Sequence, residues 1–258
     1  MTRHLIPALR GAIGFLSLLP VGQGSKDWEA FGRTPTAFPL AGYVLGGLIG
    51  FPVAVAVALG VPPGSVAIVG LAAVYAVTGV NHLDGLLDLG DAAVVHGDPD
   101  DRVAVLKDTT VGVGAVAAAG IALVGLALAF LELGSAGAWA VLSVVVAAEV
   151  GAKLVLSGIA CLGTARHEGL GEAFTTERDR TDLVAPVLVS LPAALPAVFT
   201  PTPLVGIAAL AGACVGGGSL AWWADGLLGG VNGDVFGAAN ELARLSGLHL
   251  GVIAWTLS

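Results

Sequence analysis

Six apolar runs dominate this chain, at about 38–59, 65–80, 111–131, 138–161, 183–199 and 204–223, with a weaker seventh from Leu248. A helix needs about 20 apolar residues to cross a hydrocarbon core of about 30 Å, and backbone inside lipid must satisfy its own hydrogen bonds. Runs of this length and number restrict the chain to an all-α, polytopic membrane helical bundle, with six to eight helical elements expected. Composition agrees: 56% hydrophobic and 12% charged residues over 258 positions, with a mean hydropathy of +0.90, lie far from soluble globular usage. No stretch reads as a separate soluble domain, so residues 1–258 are expected to form a single integral membrane domain.

The remaining composition narrows the function classes. A net charge of -8 opposes nucleic-acid binding, which depends on neutralising phosphates with Lys and Arg. Lysine is confined to Lys26, Lys107 and Lys153 while Asp is abundant in the loops, which fits either a salt-adapted organism or a metal site with Arg-biased codons. Pro7 and Arg10 interrupt the apolar stretch 5–19 and no small-residue cleavage pattern follows Pro20, so this segment reads as a retained short helix lying at the membrane interface or dipping into it. Cys161 and Cys214 stand singly in apolar runs and read as small buried hydrophobes.

The connections alternate between two kinds. Those around 61–64, 134–137 and 200–203 are short and uncharged, whereas 20–37, 81–110, 162–182 and 224–246 are longer and hold Lys26, Arg33, Arg102, Lys107, Arg166, Arg178, Arg180 and Arg244. Counting spans puts every charged loop on one side. The positive-inside rule makes that side cytoplasmic.

On that side the sequence His82-Leu83-Asp84-Gly85-Leu86-Leu87-Asp88-Leu89-Gly90-Asp91 follows directly on an apolar run. On a helix, Asp84, Asp88 and Asp91 fall within roughly 60° of one face. Three carboxylates on one face at a membrane boundary point to a hard divalent cation, which magnesium satisfies by joining one or two carboxylates to substrate phosphates. Three further polar stretches share the side: 107–112, 164–169 and 229–242. Asp234 and Glu241, seven apart, again share a helix face, and the glycines before Asp234 allow close backbone approach to a phosphate. With Lys107 and Arg166, and Lys153 as a third candidate cation, these acids describe a phosphoryl-transfer site. His82 is open to three readings: a base, a partner orienting a carboxylate, or an interfacial residue satisfied by backbone.

Other features have local explanations. Asp98-Pro99-Asp100-Asp101 reads as a helix start, with Asp98 as N-cap and a helix running to about 107–108. Gly42, Gly46 and Gly50 line one side of the first span and permit close packing. Glu149 and Lys153 carry charge inside a span. They either neutralise each other at i and i+4, or Lys153 points to the site as a phosphate partner.

Taken in order, Phe15-Leu16-Ser17-Leu18-Leu19-Pro20, Phe38-Pro39-Leu40-Ala41-Gly42, His82-Leu83-Asp84-Gly85 with Asp88 and Asp91, Lys107-Asp108, Arg166 with Glu168-Gly169-Leu170-Gly171, and Gly229-Gly230 with Gly233-Asp234 and Glu241-Leu242 resemble the cobalamin synthase family. These enzymes are also called adenosylcobinamide-GDP ribazoletransferases. The resemblance covers about residues 9–245 and rests on six motifs in register.

The resemblance implies a membrane transferase that joins adenosylcobinamide-GDP to alpha-ribazole, or its 5'-phosphate, and releases GMP, with Mg2+ required. It implies Asp84, Asp88 and Asp91 as metal ligands, and Asp91 or His82 as acceptor of the ribazole hydroxyl proton. Lys107 and Asp108 match the family's Lys-Asp pair, Lys107 as a catalytic cation and Asp108 on the substrate side. Asp234, beside Asn232, matches the acid of the C-terminal Gly-rich motif, and Arg166 becomes a phosphate clamp. The chain departs from the common pattern at Thr109-Thr110, where many members carry Ser-Arg, at Asn232, where many carry Thr, and at Lys153, in a region where many carry Arg.

The acidic cluster also looks like that of CDP-alcohol phosphotransferases, and isoprenoid-type transferases use Asp-rich motifs with magnesium and pyrophosphate. A secondary transporter would explain Glu149, Lys153 and the Gly-rich helices, but it calls for acids near the midplane and an inverted repeat. The acids lie instead at one face.

Overall fold

The computed structural model describes residues 2–22, 24–166, 169–176, 178–199 and 202–258, and these are helical through most of their length. In chain order the helices are α1 (Thr2–Leu16), α2 (Ser25–Gly32), α3 (Ala37–Ala58), α4 (Pro63–Thr78), α5 (Asn81–Val94), α6 (Pro99–Leu106) and α7 (Val113–Leu133). They continue as α8 (Ala138–Leu162), α9 (Leu170–Thr175), α10 (Val184–Ser190), α11 (Val205–Leu228) and α12 (Gly233–Thr256). Among the described residues α3, α7, α8 and α11 are long and apolar enough to cross a membrane, and α4 with α5 adds a broken fifth candidate. The chain is a multi-pass membrane protein.

Helix α8 is the centre of the bundle and the most deeply buried of the four long helices. Helix α3 lies along it at close range: a Cβ added to Gly42 would stand 2.8 Å from the Cα of Val150, and one on Gly46 would stand 2.9 Å from the Cα of Val146. The glycine stripe of the first span is therefore a packing surface, as expected. Helices α11 and α12 cover the other side of α8 and pack along each other.

Two features bring the polar segments to one end. Helix α4 stops at Gly79, whose φ of +66° suits glycine, and α5 leaves at 96° to it. Helix α9 is anchored by an aromatic cluster in which Phe174 meets Phe31 edge to face at 5.0 Å and Phe236 of α12 at a tilt at 5.8 Å, while Phe31 meets Phe38 at 4.8 Å. Phe15 and Trp28 complete the cluster, so α1 and α2 also pack into it.

Three sequence expectations change. The run 183–199 is not one span: α10 gives way to a 3₁₀ segment at Leu191–Phe199, where Pro192 lacks the N–H a continuous α-helix needs. The stretch 224–246, read as a charged loop, belongs mostly to α11 and α12. The final helix starts at Gly233 instead of Leu248. Charges at 241 and 244 hid it from a hydropathy reading. By contrast α6 follows its local chemistry: Asp98 accepts from the amides of Asp100 and Asp101 while Asp101 answers the Asp98 amide, a capping box ahead of Pro99. The free thiols Cys161 and Cys214 are buried and half-buried respectively.

Candidate active site

The acid cluster of α5 meets a second acid because Gly85 has no side chain. A Cβ at Gly85 would lie 2.8 Å from the carbonyl oxygen of Asp234 and 2.9 Å from its Cα, so the first turn of α12 rests directly on α5. Asp84 is exposed and Asp88 half-buried. Burial, followed by the charges of Asp88 and Asp84, pushes the Asp234 carboxyl up to about 6. All of these acids lie outside the four long apolar helices. Carboxylates that oppose one another's ionisation form a surface on which a cation is stabilised.

Asn232 fixes the position of Asp234. It is the N-cap of α12, its Oδ1 accepting from the Val235 amide at 3.0 Å, and its Nδ2 donates to Asp234 Oδ2 at 3.0 Å. Just before it the chain forms a strap. Gly229 ends α11 in the left-handed region, with φ +71°, and Val231 pairs with Ala165, its amide donating to the Thr164 carbonyl at 2.9 Å. The strap holds Arg166, whose Nη1 donates to Leu228 O at 3.1 Å and whose Nη2 donates to Asp100 Oδ1 at 2.7 Å. Arg166 therefore joins the α6 start to the C-terminal Gly-rich motif. His167 and Glu168, beside it in the motif, lie outside the described residues.

The other sequence-derived residues fall into different settings. Lys107 caps the C-terminus of α6 and is exposed, as is Asp108, which accepts from the Thr110 amide at 3.0 Å. Asp91 accepts from the amides of Gly112 at 2.7 Å and Ala115 at 2.8 Å, which makes it a cap for α7 delivered from α5. Two amides thus engage the residue read as metal ligand and proton acceptor. His82 is buried, with Nδ1 unpartnered, and it sits away from the acid face near Lys153, Arg244 and Glu149.

Lys153 is corrected outright. It is completely buried and donates to Glu149, which also accepts from Arg244 of α12, and Arg244 in turn donates to Glu241. Four charges on two helices neutralise one another inside the bundle, and Lys153 is unavailable as a phosphate partner. Sequence reasoning missed Arg244 because it placed that residue in a loop. The signal was present in the i, i+3 spacing of Glu241 and Arg244.

Among the described residues no group of three or more His, Cys, Asp or Glu side chains gathers closely enough to hold a metal ion alone. Asp84, Asp88 and Asp234 supply only oxygen donors, the chemistry of a hard cation that one or two carboxylates share with substrate phosphates.

A family model described as cobalamin-5-phosphate synthase matches residues 8–252. The chain belongs to the cobalamin-5-phosphate synthase family. The resemblance seen in the six motifs is thereby borne out. Among similar proteins, the adenosylcobinamide-GDP ribazoletransferase of Halorubrum lacusprofundi is 46% identical, covering 98% of this chain and 99% of its own. That of Halobacterium salinarum is 53% identical over 77% of this chain and 98% of its own, and that of Deinococcus radiodurans is 35% identical over 96% and 86%. No solved structure matches. Within this synthase family member, three of the motifs that carry the likeness meet at one end of the bundle: α5, Arg166 and the 229–234 strap, with Arg166 also bonded to the α6 start.

Proposed function

We propose that the chain is an adenosylcobinamide-GDP ribazoletransferase, which performs the last assembly step of the cobalamin nucleotide loop. The observation that carries the reading is the contact of Gly85 with Asp234, which sets the acids of α5 against the acid of α12 beside the strap that holds Arg166. This is one anionic wall and one cationic clamp, the arrangement a pyrophosphate substrate needs.

In this reading a hydroxyl of ribazole gives up its proton to water as it attacks the phosphorus that bears cobinamide, a new P–O bond forms, and the pyrophosphate P–O bond breaks to release GMP. Arg166 binds the pyrophosphate and steadies the negative charge that gathers on the departing GMP. Asp84, Asp88 and Asp234 would hold magnesium, which when bound neutralises the pyrophosphate. Asn232 keeps the Asp234 carboxylate oriented, and the exposed Lys107 steers the anionic substrate towards the acid wall. Asp91 acts on the site by fixing α5 against the start of α7. The charged end of the bundle faces the cytoplasm, where both substrates approach, and the protein resides in the cell membrane of a prokaryote.

Incubating the detergent-purified protein with adenosylcobinamide-GDP, alpha-ribazole and magnesium should release GMP and form adenosylcobalamin in equal amounts. Release no greater than that of a heat-inactivated control would refute the reading.

A further inference from the structure

A cavity of about 470 Å³ opens between α8, α10 and α11, at the end of the bundle that carries the strap. We propose that it seats the benzimidazole ring of the acceptor nucleoside, an inference that rests on the transferase reading above. Its walls are almost wholly apolar, with Leu154, Ile159, Val187 and Trp222 among them, and among the described residues Asp225 is the one charged side chain in the lining. Gly158 and Gly218 make room for an occupant: a Cβ added to either meets nothing within 4 Å. The volume suits a small aromatic nucleoside.

Position and chemistry both favour that occupant. Val231 lines the cavity, and its amide is bonded to Thr164, two residues before Arg166. Gly163, also in the lining, packs so closely on Val231 that a Cβ there would stand 2.9 Å from its side chain. A ring in the cavity therefore leaves its sugar beside the strap, on the side where Arg166 binds phosphate. Ribazole is an apolar bicyclic ring joined to a polar ribose. The cavity repeats that division, with an aromatic Trp222 wall for the ring and an exposed Asp225 carboxylate to accept from a sugar hydroxyl. A lipid acyl chain would fill the apolar walls but has no partner for the carboxylate.

The test fills the cavity from its walls. Gly218→Leu and Gly158→Leu should each raise KM for ribazole about tenfold while KM for adenosylcobinamide-GDP stays within about twofold, as lost pocket space predicts. Asp225→Asn, which adds no bulk, should raise KM for ribazole by a smaller factor, and melting midpoints in detergent identify any variant that is misfolded. Binding is read separately from turnover: ribazole should quench tryptophan fluorescence in the wild-type protein, and Trp222→Leu should remove most of that quenching. Unchanged ribazole KM in both glycine variants, or quenching that survives Trp222→Leu, would overturn the proposal. So would phospholipid that co-purifies with the wild type and is lost from Gly218→Leu, which would assign the cavity to an acyl chain. A wild-type protein that binds ribazole with Trp222-dependent quenching yet releases no GMP would refute the transferase reading while leaving the ring site standing.

Discussion

Arg244 of α12 donates from Nε directly to Glu149 of α8, 95 residues earlier in the chain, and the two lie about 1% exposed in the middle of the bundle. Lys153 on the same carboxylate and Glu241 on the same guanidinium close a neutral set of two acids and two bases. The bond joins the central helix to the helix whose first turn carries Asp234. A buried charge that loses its partner is strongly destabilising, whereas removal of a whole pair is far milder. Glu149→Leu should therefore cost about 3–5 kcal/mol, and Glu149→Leu combined with Lys153→Met should cost less than Glu149→Leu alone. Unfolding midpoints of the three proteins in detergent measure the coupling, and equal effects of the single and the double substitution would contradict the set as described.

Asp84→Asn, Asp88→Asn and Asp234→Asn each remove charge from the acid wall without removing bulk. Each should lower the rate of GMP release by about 100-fold, the scale of losing one electrostatic contact to a developing charge. Since these side chains repel one another in the free protein, melting midpoints should hold or rise. A fall in activity accompanied by an equal loss of folded protein would speak against the assignment.

Asp91 makes a different prediction from its two neighbours. Its oxygens hold the amides of Gly112 and Ala115, so Asp91→Ala should cost about 1 kcal/mol of stability, as loss of a helix cap does. Asp91→Asn, which keeps one acceptor oxygen, should recover part of that loss. Identical midpoints for Asp91→Ala and the wild type would show that the cap contributes nothing.

The two bonds of Arg166 separate by exposure. The side chain of Asp100 is 72% exposed, so Asp100→Ala should change stability by less than about 1 kcal/mol. Arg166→Ala should raise KM for adenosylcobinamide-GDP about tenfold or more, because a charge-assisted contact to phosphate is lost. Arg166→Lys should recover only part of it, since an ammonium cannot bond the Leu228 carbonyl and a phosphate with the same planar fork.

What could be read from the sequence was what depends on near neighbours. The Asp98 box, the long apolar helices and the glycine face of α3 follow from spacings of three, four and seven residues, and the structure reproduces them. The meeting of α5 with the first turn of α12 joins residues some 150 apart; loop alternation put both on one side of the membrane, but no spacing in the sequence shows their contact. Lys153 illustrates the limit from the other side. Its i, i+4 partner Glu149 was visible, but Arg244, which completes the set and settles the choice between pairing and phosphate binding, lay in a helix whose charges disguised it as a loop. His82 was ambiguous for a related reason, since its burial comes from α12 crossing its backbone at Gly237.

The most direct test of the account is a magnesium titration of GMP release in the wild-type protein, Asp84→Asn and Asp234→Asn. If α5 and α12 share one cation-binding wall, release depends on magnesium, and both substitutions, on separate helices, shift half-maximal activity to higher magnesium by about tenfold or more. Full activity of both variants at the wild-type magnesium concentration would contradict it.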